Sequence, residues 1–170
     1  MTFPTIDDLS KDFPETSTGS RWELLSDRVM GGISSGRLTR ELVSGRMANR
    51  MRGDVSLANN GGFIQMALDL DPSGRTVDCR DYAGLEIEVW GNGEIYGLHL
   101  RTAELSRPWQ SYRQSFLAEK SWRTSRLPFA DFAPHRTGAP LDLTRIRRLG
   151  LAAIGRAFEA DLAVAGVRFF

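Results

Sequence analysis

The sequence holds one cysteine, Cys79, two histidines, His99 and His135, and two lysines, Lys11 and Lys120, in 170 residues. A lone thiol makes an intramolecular disulfide impossible and excludes structural zinc held by several thiolates, so a reducing compartment fits. With 22 basic and 21 acidic residues the formal charge is +1. No global field therefore draws nucleic acid or an anionic membrane surface. Almost all the basic residues are arginine, which coding bias explains more simply than binding, although arginine is the better planar clamp for anions. No stretch approaches the roughly 20 apolar residues of a membrane span. The opening Met-Thr-Phe-Pro-Thr-Ile-Asp-Asp lacks a basic n-region, an apolar h-region and an Arg-rich amphipathic segment. The expected localisation is cytoplasmic. Internal repeats and low-complexity segments are also missing.

Helical periodicity is scarce as well, and period two dominates. Leu38 and Leu42 alternate with Arg37, Thr39 and Glu41; Met47, Asn49 and Met51 alternate with Arg46, Ala48, Arg50 and Arg52, which make a polar face. Leu85, Ile87 and Val89 oppose Glu86 and Glu88, and Gly91-Asn92-Gly93 turns that strand into another over 94 to 102. Further strands are expected over 63 to 70, 109 to 117, 121 to 127, 147 to 154 and 158 to 170, with 128 to 134 an irregular bridge. Asn59-Asn60-Gly61-Gly62 has the chemistry of a hairpin turn. Residues 1 to 19 read as an extension in which Thr5 caps one or two helical turns, and residues 20 to 170 as one domain. At 41% hydrophobic, a chain of this length supports one sizeable core. About ten short strands spaced at eight to twelve residues predict an all-β, two-sheet sandwich.

Catalytic constellations are thin. His99 lies in an apolar strand and reads as a paired or solvated strand residue. Ser121, Asp131 and His135 share one short stretch without a nucleophile elbow, and Glu86 and Glu88 read as a wet strand face. No catalytic group and no cofactor is expected. No His or Cys cluster offers a metal site; Asp69, Asp71 and Asp78 are the acids a structural calcium ion would use. Among the aromatics, Trp122 and Phe116 read as core. Trp109, beside Arg107 and Pro108, reads as an exposed loop-edge ring that could stack on a sugar.

The chain is organised around residues 22 to 36, where an amphipathic strand runs into Asp27-Arg28-Val29-Met30-Gly31-Gly32-Ile33-Ser34-Ser35-Gly36. Walker A and dinucleotide spacings are both missing. A solvated linker has no need of the Val-Met pair, so the loop reads as ordered, with the Asp27 carboxylate accepting backbone N–H groups. Residues 53 to 63 repeat the scheme of an acid, a turn and paired glycines: Gly53-Asp54-Val55-Ser56-Leu57-Ala58-Asn59-Asn60-Gly61-Gly62-Phe63. Two readings stay open for Asp27, Arg28, Val29, Met30, Gly31, Gly32, Ser34, Asn59, Asn60, Gly61 and Gly62, namely scaffold or a surface for a partner or ligand.

The order Trp22, Asp27-x-Val29-Met30-Gly31-Gly32-x-Ser34-x-Gly36, Gly53-x-Val55-Ser56, Asn59-Asn60-Gly61-Gly62-Phe63 resembles the complex I intermediate-associated protein 30 family. Gly91-Asn92-Gly93-x-x-Tyr96 with Leu98, Leu100 and Arg101, Tyr112-x-x-x-Phe116, Trp122 with Leu127-Pro128-Phe129-x-x-Phe132, and Ile146-Arg-Arg-Leu149-Gly150-Leu151 continue it. The chain departs from that pattern at Met51, Asn92 and residues 64 to 67. The resemblance implies a galactose-binding-like jelly roll, the architecture of many carbohydrate-binding modules. It also implies a non-enzymatic, chaperone-like domain that binds protein partners, since mitochondrial members help to build respiratory complex I and related domains occur joined to dehydrogenase-like ones. Carbohydrate binding is the alternative reading.

Overall fold

Alternation sets the layers. In the computed structural model, which describes residues 4–170, Leu85, Ile87 and Val89 of β6 (Gly84–Gly91) are fully buried in the core. Glu86 and Glu88 take the opposite face and pair with arginines. The same rule orders β3 (Ser35–Val43), β4 (Arg46–Val55), β9 (Arg123–Pro128) and β12 (Phe158–Phe169), which with β6 form an antiparallel sheet in the order β3-β4-β12-β6-β9. The second sheet runs β10-β8-β7-β11-β5-β2. Its strands are β2 (Glu23–Ser26), β5 (Phe63–Asp69), β7 (Glu94–Thr102), β8 (Ser111–Ala118), β10 (Ala133–His135) and β11 (Ile146–Ile154).

The core lies between the sheets, where Met51, Val89 and Leu162 meet Ile64, Met66, Leu98 and Leu151. No α-helix occurs among the described residues; three short 3-10 turns, Asp27–Met30, Ala58–Asn60 and Phe129–Asp131, complete the chain. The all-β jelly-roll expectation holds.

Four local expectations change. Thr5 caps no helix: Thr5–Asp7 is a strand, β1, which pairs with Val167 and Arg168 beyond the point where β4 leaves the side of β12. Ile6 is buried there, and Asp7 accepts the Trp22 indole N–H at 2.8 Å. The Asn59-Asn60-Gly61-Gly62 turn joins no hairpin, because β4 and β5 lie in opposite sheets, so it is a corner of the sandwich. Residues 133 to 135 leave the irregular bridge to become β10, an edge strand in which Pro134 costs no ladder bond. Trp122 is half-buried on the outside of the first sheet, under the Arg46 guanidinium at 4.9 Å, with its indole on the Val43 carbonyl. Phe116 is in the core as expected.

Candidate functional site

Asp27 is 0% exposed and accepts four hydrogen bonds: Ser34 N at 3.0 Å, Ser34 Oγ, Gly62 N at 2.6 Å and Phe63 N at 3.2 Å. One carboxylate thus ties the 27–36 loop to the sandwich corner at 58 to 63. Burial opposes the charge, and the bonds from Ser34, Gly62 and Phe63 overcome it, holding Asp27 below the usual carboxylate range. Two glycines explain the paired-glycine pattern. A Cβ on Gly32 or Gly61 would run into the Asp27 carboxylate, the latter at 2.5 Å. Gly31, at φ 86°, closes the Asp27–Met30 turn in the left-handed region.

With the loop fixed from beneath, Val29 and Met30 point outward, 79% and 52% exposed. They form one rim of a groove of about 580 Å³ across the outer face of the second sheet. Trp109, 48% exposed and with the Arg107 guanidinium over its ring at 5.9 Å, lines the same groove. The structure therefore brings the Val-Met loop and Trp109 to one site.

The groove floor comes from outward positions of four strands. Gly150 of β11 stands opposite Ala67 of β5 and His99 of β7, and His99 stands opposite Arg113 of β8. Small residues keep this row low. A Cβ at Gly150 would lie 2.6 Å from the Gln65 side chain, and one at Gly97 would lie 3.0 Å from His99 Nε2.

Arginines dominate the electrostatics. Arg101 donates from Nη1 to the carbonyls of Arg107, Pro108 and Gln110 at 2.9, 3.2 and 2.6 Å, which fastens the loop that carries Trp109. Arg148 pairs with Asp69 at 2.8 Å and Glu23 at 3.6 Å. Arg113 donates from Nε to Ser111 Oγ at 2.8 Å and has no carboxylate partner among the described residues. Burial and the neighbouring Arg136 push its guanidinium down from its ordinary value. Burial, then the charges of Arg113 and His135, drive His99 down to about 3, so its imidazole is neutral at pH 7.

The other sequence candidates fall elsewhere. Ser34, expected on the surface, is fully buried as an Asp27 ligand, because its hydroxyl is needed to satisfy that carboxylate and also accepts Ser56 N. Arg28 is exposed, with Nε on the Ser34 carbonyl. Asn59 and Asn60 are exposed and adopt the left-handed conformation at φ 56° and 59°. Of the acids named for calcium, Asp69 pairs with Arg148, Asp71 accepts from Ser73 and Asp78 pairs with Arg80. No group of three metal-ligating side chains forms among the described residues. Sequence reasoning missed Gln65, His99, Arg113 and Arg148 as groove residues. Their signal was polar side chains at outward positions beside glycine or alanine, and it spreads over strands distant in the chain.

The two-sheet jelly-roll fold is shared with solved carbohydrate-binding modules. The chain is similar to the family 11 module of Clostridium thermocellum in complex with a β-1,3-1,4-mixed-linked tetrasaccharide, at 12% identity and a TM-score of 0.75 over 98% of this chain and 94% of that one. It is also similar to the family 30 module of a cellulosomal cellulase of the same organism, at 15% identity and a TM-score of 0.60 over 99% and 92%. At such identities the likeness is one of fold. The profile of the complex I intermediate-associated protein 30 (CIA30) family matches residues 11–164, and the chain belongs to that family. No curated protein matches the sequence.

Proposed function

We propose that this protein is a non-catalytic binding domain that docks a protein partner, an assembly intermediate of respiratory complex I, from the cytoplasm. The observation that carries this reading is the Val29-Met30 pair, exposed yet held rigidly over the groove by a buried carboxylate. Covering an apolar side chain of this size is worth about 1.5–3 kcal/mol, and an anchor ordered in advance spends little of that on entropy. Membership of the complex I intermediate-associated protein 30 family supports this class of partner. A catalytic role has little to work with at the groove: Ser111 Oγ accepts from Arg113, which is no base, and His99 is buried, neutral and faced by the Arg113 cation. No helix among the described residues is long and apolar enough to cross a membrane.

Carbohydrate binding is the second reading, favoured by Trp109 on the groove rim and by the likeness to the two modules. Isolation of the tagged protein from its own cells, with a glycan array in parallel, separates the two. Complex I subunits should accompany the wild type and be lost with Val29→Asp/Met30→Asp. A glycan bound through Trp109, with no respiratory subunit retained, would overturn the first reading.

A further inference from the structure

The two outer faces of the sandwich treat arginine differently. On the first sheet the outward arginines at 46, 50, 52, 126 and 168 each have a carboxylate within 3.4 Å, and only the edge strand β3 carries arginines, Arg37 and Arg40, with no carboxylate partner among the described residues. Of the arginines in the strands of the second sheet, only Arg148 is paired with a carboxylate among the described residues; Arg101 is spent on backbone carbonyls, and Arg113 on one serine hydroxyl. Arg113 is half-buried and lines the groove, and its two terminal NH2 groups have no protein acceptor among the described residues. A guanidinium fork is shaped for bidentate contact with a carboxylate. Its surroundings suit that guest, since His99, next to it in the row, stays neutral and Gly150, one strand further, leaves the groove floor low.

We propose that Arg113 receives a carboxylate of the docked partner, so that the segment crossing β11, β7 and β8 is acidic and seats an apolar side chain between Met30 and Trp109. This rests on the protein-docking reading above. Charge complementarity fixes the occupant: a half-desolvated cation without a counter-charge is compensated by an anion far better than by the hydroxyls of a neutral glucan.

The test is a random decapeptide array probed with the full chain, each acidic peptide accompanied by its Asp→Asn, Glu→Gln counterpart, and the mixed-linked β-glucan tetrasaccharide as a separate arm. Acidic members should bind at least about tenfold more tightly than their amides, the equivalent of about 1.4 kcal/mol. Arg113→Gln should erase that preference and Arg113→Lys restore part of it, while Arg126→Gln on the first sheet leaves it intact. Peptides that bind through the groove, lost with Met30→Asp yet indifferent to acid, would overturn the carboxylate contact and leave protein docking standing. Binding of the tetrasaccharide alone, or of no peptide, would overturn both.

Discussion

A carboxylate shut away from water survives ionised only if its lone pairs are met, and Asp27 has donors from three residues for that purpose. Asp27→Ala should leave Ser34, Gly62 and Phe63 donors unsatisfied, at about 1–3 kcal/mol each. Each kcal/mol lowers the melting temperature of a domain this size by about 2–4 °C, so calorimetry should register a drop of several degrees at least. Arg28→Ala, on the exposed side of the same turn, should leave it nearly unchanged. His99 gives the molecule a pH slope. Its folded value of about 3 lies below the ordinary 6.5, so on acidification the unfolded chain takes up the proton first. Its contribution is complete above pH 6.5 and is lost progressively down to about pH 3, at up to about 1.4 kcal/mol per pH unit. Asp27, also depressed, adds its own loss only below the ordinary carboxylate range. His135, also depressed by burial and by Arg113 and Arg136, shares the upper part of that window, so urea titrations between pH 6.5 and about 4.5 should show a shallower slope in His99→Gln than in the wild type. The role of Asp27 was legible in the sequence because an acid ahead of paired glycines is a local pattern. The role of His99 was not, since what neutralises it is burial under the groove and then Arg113, fourteen residues away in sequence and opposite it only through strand register.

Elements were legible in proportion to their length. β4, β6, β7, β11 and β12 span 8 to 12 residues and show their alternation openly. β1 and β10 have three residues each, too few for any period, and owe their existence to partners far along the chain. The corner at 58 to 63 was misread for a related reason: Asn-Gly chemistry specifies a reversal but not whether the next strand stays in the same sheet. β1 adds residues 5 to 7 to the edge of the first sheet. Ile6→Ala should therefore cost about 2–5 kcal/mol, as for other buried large-to-small changes. Asp7→Ala should strip the Trp22 indole of its acceptor. Tryptophan fluorescence and thermal melts would report both effects, and variants that melt with the wild type would return residues 4 to 8 to the status of an appendage.

At the scale of the whole molecule, one face is built for stability and the other holds charge in reserve, and matched substitutions should expose the difference. Arg50 donates two bonds to Asp161, at 2.8 and 2.7 Å, and one to Glu41 at 2.9 Å, which raise its pKa. Arg50→Gln would leave two partly buried carboxylates short of their donor, at a cost on the order of 1–3 kcal/mol. Arg113 is half-buried too, yet its charge is answered by no carboxylate among the described residues, so in the free protein burial works against it. Arg113→Gln should then be neutral or stabilising by about 0.5–1 kcal/mol, the pattern of a residue kept for a ligand at the expense of the fold. Urea unfolding of the two variants beside the wild type decides the matter. A destabilised Arg113→Gln comparable to Arg50→Gln would mean that Arg113 is part of the scaffold, and its unpaired fork would then carry no claim on a partner's carboxylate.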